Sequence, residues 1–454
     1  MRILQVNTTD TRGGAARVAA SLHQAYQARG HDSWLIVGHK LGDDVDTLPL
    51  KHDLASGWWQ RPLWQAENGI ARHRFRGARW LRNALRMATN PRRIADWYRG
   101  YEDFYFPGTK HLLKLPESIT DILHLHNLHG HYFDLRQLPH LTSQVPTVLS
   151  LHDAWLLSGH CAFSLGCERW RKGCGHCPDL GIQPAIHRDG TAENWQRKLA
   201  IYSSSRYHVI TPSQWLMDKV IDSPLAAGLI SSRIIPHGID LDIFQPGSKT
   251  SARRFLSLSE FGKIILMVAN GFRDNPWKDF GIARRVFSQL TTVDRKDPIT
   301  VLAIGDSLPD ERFGNVIIRF VPYIRDKALL ARYYQAADLL LTTSRVEVWG
   351  LAISEALACG TPVVATAVGG IPEQVSSWPQ EKSDKANGIL IGPDDATGLV
   401  DALNHLLNDS SLLRELGLNA RRRAQVELDF TTQVDRYLSY YLELTKDWKT
   451  SLVR

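Results

Sequence analysis

The sequence predicts an α/β protein made of two doubly wound, parallel-sheet domains. A chain of 454 residues is too long for one ordinary core and divides naturally into two domains of about 200 residues. Apolar runs of strand length alternate with amphipathic segments of helix length, the pattern of a parallel sheet covered on both faces. That alternation occurs twice, with a break near 240–247 where Pro246-Gly247 ends the first series and a polar stretch precedes the second.

In the first series the expected strands are Arg2–Asn7, Ser33–Gly38, Asp121–His126, Pro146–Leu151, Tyr207–Thr211 and Arg233–Pro236. In the second they are Lys263–Ala269, Ile299–Gly305, Val316–Val321, Asp338–Thr342, Pro362–Thr366 and Ile389–Ile391. Segments such as Ala15–Arg29, Asp279–Leu290 and Leu351–Ala358 have helical period and length. The expected division is residues 1–242 and 243–430, with 431–454 a helix packing back on the first domain.

Bulk properties narrow the class. With 43% hydrophobic and 22% charged residues the chain is globular, not disordered. No run approaches eighteen apolar residues, and the opening Met1–Asn7 reads as a buried strand without the apolar core of a signal peptide. Five cysteines, four of them crowded between Cys161 and Cys177, are not a secreted disulfide framework. A cytoplasmic protein is expected, stationed at the inner face of the cytoplasmic membrane if the charge distribution described next serves that purpose.

The net charge of +7 is concentrated between Gly57 and Tyr105, where ten arginines face four acids. Five of the fourteen tryptophans share that stretch: Trp58, Trp59, Trp64, Trp80 and Trp97. Indoles with guanidinium groups suit a peripheral contact with an anionic membrane, and the same composition suits nucleic acid. A surface insertion whose tryptophans pack inward is the plain alternative.

Ligands of open parallel sheets bind beyond the carboxyl ends of the strands, so polar residues just after a strand carry the chemistry. The most informative stretch is Glu347-Val-Trp-Gly-Leu-Ala-Ile-Ser-Glu355. Gly350 opens a helix whose free N–H groups can receive an anion, and two carboxylates eight residues apart can accept sugar hydroxyls. Upstream, Asn270–Lys278 follows a strand and supplies Arg273 and Lys278, a fork and a point charge for a diphosphate. In the first half, Gly13-Gly14 follows the first strand and enters a helix, where backbone can approach phosphate or sugar. His152 ends another strand, and Asp153 is placed to orient its ring or to cap the next segment. His124, His126, His129 and His131 crowd a further strand end; no carboxylate or cysteine pattern completes a metal set, so His126 and His129 are read as acceptor contacts.

Ser344–Leu351, Glu355–Thr366 with its Cys-Gly-Thr-Pro-Val-Val run, and Val368-Gly-Gly-Ile-Pro-Glu373 together resemble the nucleotide-sugar signature of retaining glycosyltransferases of family 4. That family has the GT-B fold, two Rossmann-like domains facing a central cleft. The resemblance implies that Glu347 meets the transferred sugar, Glu355 holds the ribose hydroxyls, and backbone around Gly350 and Leu351 holds the distal phosphate. It gives His152 a contact with the donor sugar and Lys278 and Arg273 the diphosphate, and it places Gly13-Gly14 near acceptor and diphosphate. It departs from the family where Asp279 follows Lys278 in place of glycine. Thr211-Pro212-Ser213, with Ser213 expected as a helix cap, and His237-Gly-Ile-Asp240 are further landmarks. The resemblance runs from about residue 1 to about residue 430, with 57–105 its poorest fit.

Cys161, Cys167, Cys174 and Cys177, within the segment 160–178, suit a tetrahedral structural zinc site that pins a loop away from catalysis. Two disulfides, disfavoured in a reducing compartment, or unbound thiols are the other readings. The residues around these cysteines resemble bacterial exopolysaccharide transferases, including those of colanic-acid type. The expected activity is therefore hexosyl transfer from a nucleoside-diphosphate sugar to a polysaccharide or polyprenyl-linked saccharide, with retention and without a catalytic cofactor or metal. No nucleic-acid partner is expected. The rivals are a nucleotide-sugar epimerase on the same fold and a basic zinc protein binding nucleic acid; a nicotinamide dehydrogenase is disfavoured because Gly13-Gly14 is not the full dinucleotide fingerprint.

Overall fold

A computed structural model describes the chain apart from residues 12, 72–74, 76, 117, 274, 291–297, 383 and 453–454. Arg72, Arg74 and Arg76 of the arginine-rich stretch, Asp274 of the segment Asn270–Lys278, and Arg12, which precedes Gly13-Gly14, lie outside the described residues. The chain divides into two compact units. The first comprises Met1–Thr211, Leu216–Ile234 and the segment from Tyr437 onward; the second comprises Pro212–Trp215 and Ile235–Arg436.

The first unit is built on seven strands: β1 (Arg2–Thr9), β2 (Asp32–His39), β3 (Thr47–Pro49), β4 (Ile122–Leu125), β5 (Thr147–Ser150), β6 (Tyr207–Thr211) and β7 (Leu229–Ile234). They pair in parallel in the order β3-β2-β1-β4-β5-β6-β7. β4 and β5 are buried at every position and β1 from Ile3 through Asn7, as strands covered on both faces must be. The segment from Tyr437 onward ties to this sheet by hydroxyls: Tyr441 bonds His124 Nδ1 at 2.7 Å, Tyr437 bonds Ser150 at 3.2 Å, and Tyr440 bonds Ser231 at 2.6 Å.

The second unit holds β8 (Lys263–Val268), β9 (Ile299–Ile304), β10 (Glu311–Phe313), β11 (Val316–Val321), β12 (Leu339–Thr342), β13 (Val363–Thr366) and β14 (Gly388–Ile391). Their order is β10-β11-β9-β8-β12-β13-β14, parallel except for the short antiparallel edge strand β10. Alternate residues of β8 enter two different cores. Ile265 and Met267 pack with the helix Phe280–Gln289, and Ile264 and Leu266 pack with Leu330, Tyr334 and Leu357.

Both sheets are wound outward from their first strand, so each has a switch point, between β1 and β4 in one unit and between β8 and β12 in the other. At such a point successive loops leave in opposite directions and open a crevice beyond the strand ends. The expected strand Arg233–Pro236 is displaced: β7 is Leu229–Ile234, an edge strand of half-exposed and exposed residues whose pairing carries little apolar signal. Among the described residues, no helix is long and apolar enough to cross a membrane.

Candidate active site

In the second unit the loop after β8 and the loop after β12 meet at the switch point. Lys278 closes the first loop and Glu347 lies in the second; Lys278 Nζ is 2.5 Å from Glu347 Oε2 and 3.3 Å from Ser344 Oγ. Both side chains remain about one-fifth exposed, at 22% and 20%. Backbone and hydroxyl bonds fix the two loops together: Arg345 N–H donates to Trp277 O at 2.8 Å, and Thr343 Oγ1 donates to the carbonyls of Lys278 and Asp279. Asp279, which replaces the usual glycine, adopts a left-handed conformation and caps the helix Phe280–Gln289 through Ile282 N–H. Arg273 is exposed, and its N–H with that of Phe272 donates to Asp306, whose carboxyl these bonds hold below its ordinary range.

Gly350 caps the helix Leu351–Ala358. Gln374 holds it on both sides: its Oε1 accepts Gly350 N–H at 2.8 Å, and its Nε2 donates to Gly350 O and Ser354 Oγ. The Gly369-Gly370 turn after β13 lies directly on this loop. Gly370 N–H donates to Glu347 O at 2.9 Å, and Gly369 has φ +60°, where a Cβ would stand 1.9 Å from Glu347 O. Only glycine fits both demands, so the turn sets the height of Glu347. Glu373 accepts the N–H groups of Gln214 and Trp215 in the same unit. Glu355 faces inward from its helix, 1% exposed, and its Oε2 accepts the Tyr334 hydroxyl at 2.7 Å.

In the first unit, Gly13 follows β1 with φ +94° and its carbonyl accepts Arg17 N–H as the helix Gly14–Ala28 begins. His126, after β4, is buried between two partners: Nδ1 lies 2.9 Å from His152 Nε2, and Nε2 lies 3.0 Å from Gln5 Oε1. Burial pushes His152 down to about 4, so its imidazole is neutral at physiological pH. Of its two expected roles Asp153 takes the capping one, and the ring it pairs with is not His152. Its Oδ2 pairs with His129 Nε2 at 2.7 Å while its Oδ1 caps Trp155 N–H. Burial works against ionisation of both partners, yet their mutual attraction prevails, raising His129 and lowering Asp153.

Beneath this pair is a buried network that no sequence pattern singled out. Lys198 is fully buried; it bonds Glu102 and the carbonyls of Trp155 and Ser158, and sits 3.9 Å from the Trp155 ring centroid. Lys198 lies mid-helix in Thr191–Ser203, where a lysine ordinarily marks a solvated face, so its burial carries no local signal.

The four-cysteine zinc set is not assembled. Cys174 Sγ accepts Gly159 N–H at 3.3 Å, and Cys177 Sγ contacts His160 Nε2 at 3.4 Å and donates to Asp179 O. Burial pushes the Cys174 thiol up to about 11. Among the described residues, no group of three or more His, Cys, Asp or Glu is arranged to hold a metal ion, and all four thiols are unpaired with one another.

Comparison with known proteins agrees with the folds of both units. The Glycosyltransferase Family 4 model matches residues 12–243, just over half the chain, and the Glycosyl transferases group 1 model matches residues 255–423. The chain is 26% identical over 430 residues to a putative colanic acid biosynthesis glycosyl transferase, WcaC, of Escherichia coli strain K12, covering 88% of this chain and 89% of that one. It is 32% identical over 202 residues to D-inositol 3-phosphate glycosyltransferase of Actinosynnema mirum, covering 41% of this chain and less than half of that relative, 46%. Among solved structures, sucrose-phosphate synthase from Thermosynechococcus elongatus superposes with a TM-score of 0.66 at 20% identity, over 98% of this chain and 99% of the other. Anabaena HepE in complex with UDP-glucose superposes with a TM-score of 0.60 at 17% identity, over 97% of this chain and 100% of the other. The protein is a glycosyltransferase of GT-B fold, and it belongs to glycosyltransferase family 4.

Proposed function

We propose that the protein transfers a hexosyl group from a nucleoside-diphosphate sugar to a growing polysaccharide or polyprenyl-linked saccharide, with retention of anomeric configuration. The observation that carries this reading is the Lys278–Glu347 pair at the switch point of the second unit, beside the helix start at Gly350. A cation beside a helix N-terminus suits a diphosphate, and an adjacent carboxylate suits sugar hydroxyls. HepE, of like fold, has been solved with UDP-glucose, which supports a donor of this class.

In this reading Lys278 and Arg273 neutralise the diphosphate, backbone at Gly350 and Leu351 holds its distal phosphate, and Glu347 orients the sugar. Glu355 takes the ribose hydroxyls, with Tyr334 fixing the direction of its carboxylate. The family resemblance adds His152 at the donor sugar and Gly13-Gly14 backbone near acceptor and diphosphate, and the crowding of histidines after β4 adds His126 and His129 on the acceptor side. The bond from the anomeric carbon to phosphate oxygen breaks as the bond to the acceptor oxygen forms on the same face. The acceptor proton passes to the departing phosphate, whose growing charge Lys278 stabilises. With cations of the protein in that role, transfer is expected to persist in excess EDTA.

The test is product analysis by NMR after incubation with candidate nucleotide sugars, with and without saccharide acceptor. A new glycosidic linkage with the donor's anomeric configuration supports the reading. Inversion would remove the retaining mechanism, and an altered free donor in the absence of acceptor would replace transfer with epimerisation.

A further inference from the structure

Among its described residues, the arginine-rich stretch 57–105 holds three helices, Arg61–Ala71, Ala78–Thr89 and Arg92–Arg99. Their mutual packing uses a chosen subset of the charges. Glu67 is buried and pairs with Arg82 and Arg86; Arg93 is buried, pairs with Asp103, and stands over the Trp64 and Phe106 rings. Arg93 also donates to the Arg86 carbonyl and Thr89, which locks the third helix to the second. Asp96 accepts the Tyr105 hydroxyl, and Glu102 belongs to the buried Lys198 network. All four acids of the stretch are thereby engaged within the fold.

What remains outside is different in kind. Among the described residues between 57 and 105, every exposed ionised side chain is an arginine: Arg61, Arg92 and Arg99. Of the five tryptophans only Trp64 packs inward, while Trp58 is 89% and Trp80 74% exposed, and Trp59 and Trp97 are also exposed. Every described tryptophan of the chain that is exposed lies in this stretch. On the third helix, Ile94, Trp97 and Tyr98 stand at spacing i, i+3, i+4, and all three are exposed. Trp97 stacks on His187 at 4.1 Å and Arg188 stands over Tyr98, which holds the rings in place while leaving them open to solvent.

We propose that this stretch forms a docking surface for an anionic phospholipid bilayer. Exposed indoles seat at headgroup depth, and the arginines, with their acidic neighbours withdrawn, meet the lipid phosphates. A water-facing role gives no reason to expose four tryptophans within one stretch of chain, and a nucleic-acid groove would use the cations without needing the aliphatic Ile94 outward. The proposal does not rest on the donor chemistry above.

The experiment is co-sedimentation of the full chain with vesicles of phosphatidylcholine alone and of phosphatidylcholine with phosphatidylglycerol, at low and high salt. Wild type is expected on the anionic vesicles and not on the neutral ones. Arg92→Ala with Arg99→Ala should lower partitioning about 25-fold at low salt, about fivefold per arginine. Trp58→Ser with Trp80→Ser should roughly halve the blue shift of tryptophan fluorescence on vesicle addition, because Trp59 and Trp97 remain exposed. All four positions are exposed, so the thermal midpoints should match wild type. Equal partitioning on both vesicle types, unchanged partitioning of both variants, or binding of an oligonucleotide in place of vesicles would each overturn the proposal.

Discussion

Replacing Lys278 with alanine separates a catalytic cation from a structural one. Its ammonium is 2.5 Å from Glu347, but both side chains keep about a fifth of their surface in water. Exposed ion pairs contribute about 0.2–1 kcal/mol. Breaking a fully buried pair costs about 3–5 kcal/mol. This pair lies between, and a stability loss of about 1–2 kcal/mol is expected, because water can reach the orphaned Glu347 carboxylate. If the ammonium stabilises charge on a departing phosphate, its removal costs far more in rate, about 10²–10³, or roughly 2.7–4 kcal/mol of barrier. The assay is release of nucleoside diphosphate from the donor in the presence of acceptor, alongside urea unfolding. A Glu347→Gln control breaks the ion pair while leaving the cation and should reproduce the stability loss without implicating Lys278. A Lys278→Ala variant within tenfold of wild-type rate would refute the electrostatic role.

Other consequences follow from the same geometry. Lys198→Met leaves Glu102 buried without its cation and should destabilise the first unit by about 3–5 kcal/mol in urea unfolding; a loss below 1 kcal/mol would show the network to be incidental. Gly369→Ala forces a Cβ onto the Glu347 carbonyl at a left-handed position, with strain of about 1–3 kcal/mol. It should lower turnover at least as much as it lowers the unfolding midpoint, and unchanged turnover would mean Glu347 need not be held there. Acid should weaken the first unit. Burial holds His52 and His124 near about 3 and His152 near about 4, against about 6.5 in the unfolded chain. Between pH 6.5 and 4 the unfolded state therefore binds more protons, and stability falls as pH falls, by up to about 1.4 kcal/mol per pH unit for each histidine. A flat unfolding free energy across that window, followed by denaturant titration, would contradict the neutral buried rings.

The fold class was legible because parallel strands buried on both faces must be largely apolar, and β8, β9 and β13 read that way without context. β7 and β10 were misplaced or missed because edge strands bury little and are held by backbone pairing, which side chains do not encode. The Glu347–Glu355 stretch was legible because its glycines and carboxylates are local. The partners that hold it are not: Gln374 returns from after β13 and Tyr334 from a different helix to bond Gly350 and Glu355. Asp153 shows the same limit. Adjacency suggested it would orient His152 or cap the next segment; it does cap Trp155 N–H, but the ring it reaches is that of His129, 24 residues earlier in the chain. The cysteine spacing suggested a zinc site, yet spacing constrains only the reach of the loop, and Cys174 and Cys177 turn to partners of their own.

The most direct test of a donor site in the second unit is a thermal shift with UDP, GDP and ADP in excess EDTA, on wild type and Glu355→Ala. A nucleotide at 100 times its dissociation constant adds about 2.7 kcal/mol of stability. For a unit of this size that is roughly 5–10 °C. One nucleotide is predicted to raise the wild-type midpoint by that amount and to leave the variant unmoved. If no nucleotide stabilises the wild type, or if the variant responds equally, the nucleotide-sugar site proposed around Lys278, Glu347 and Glu355 is contradicted.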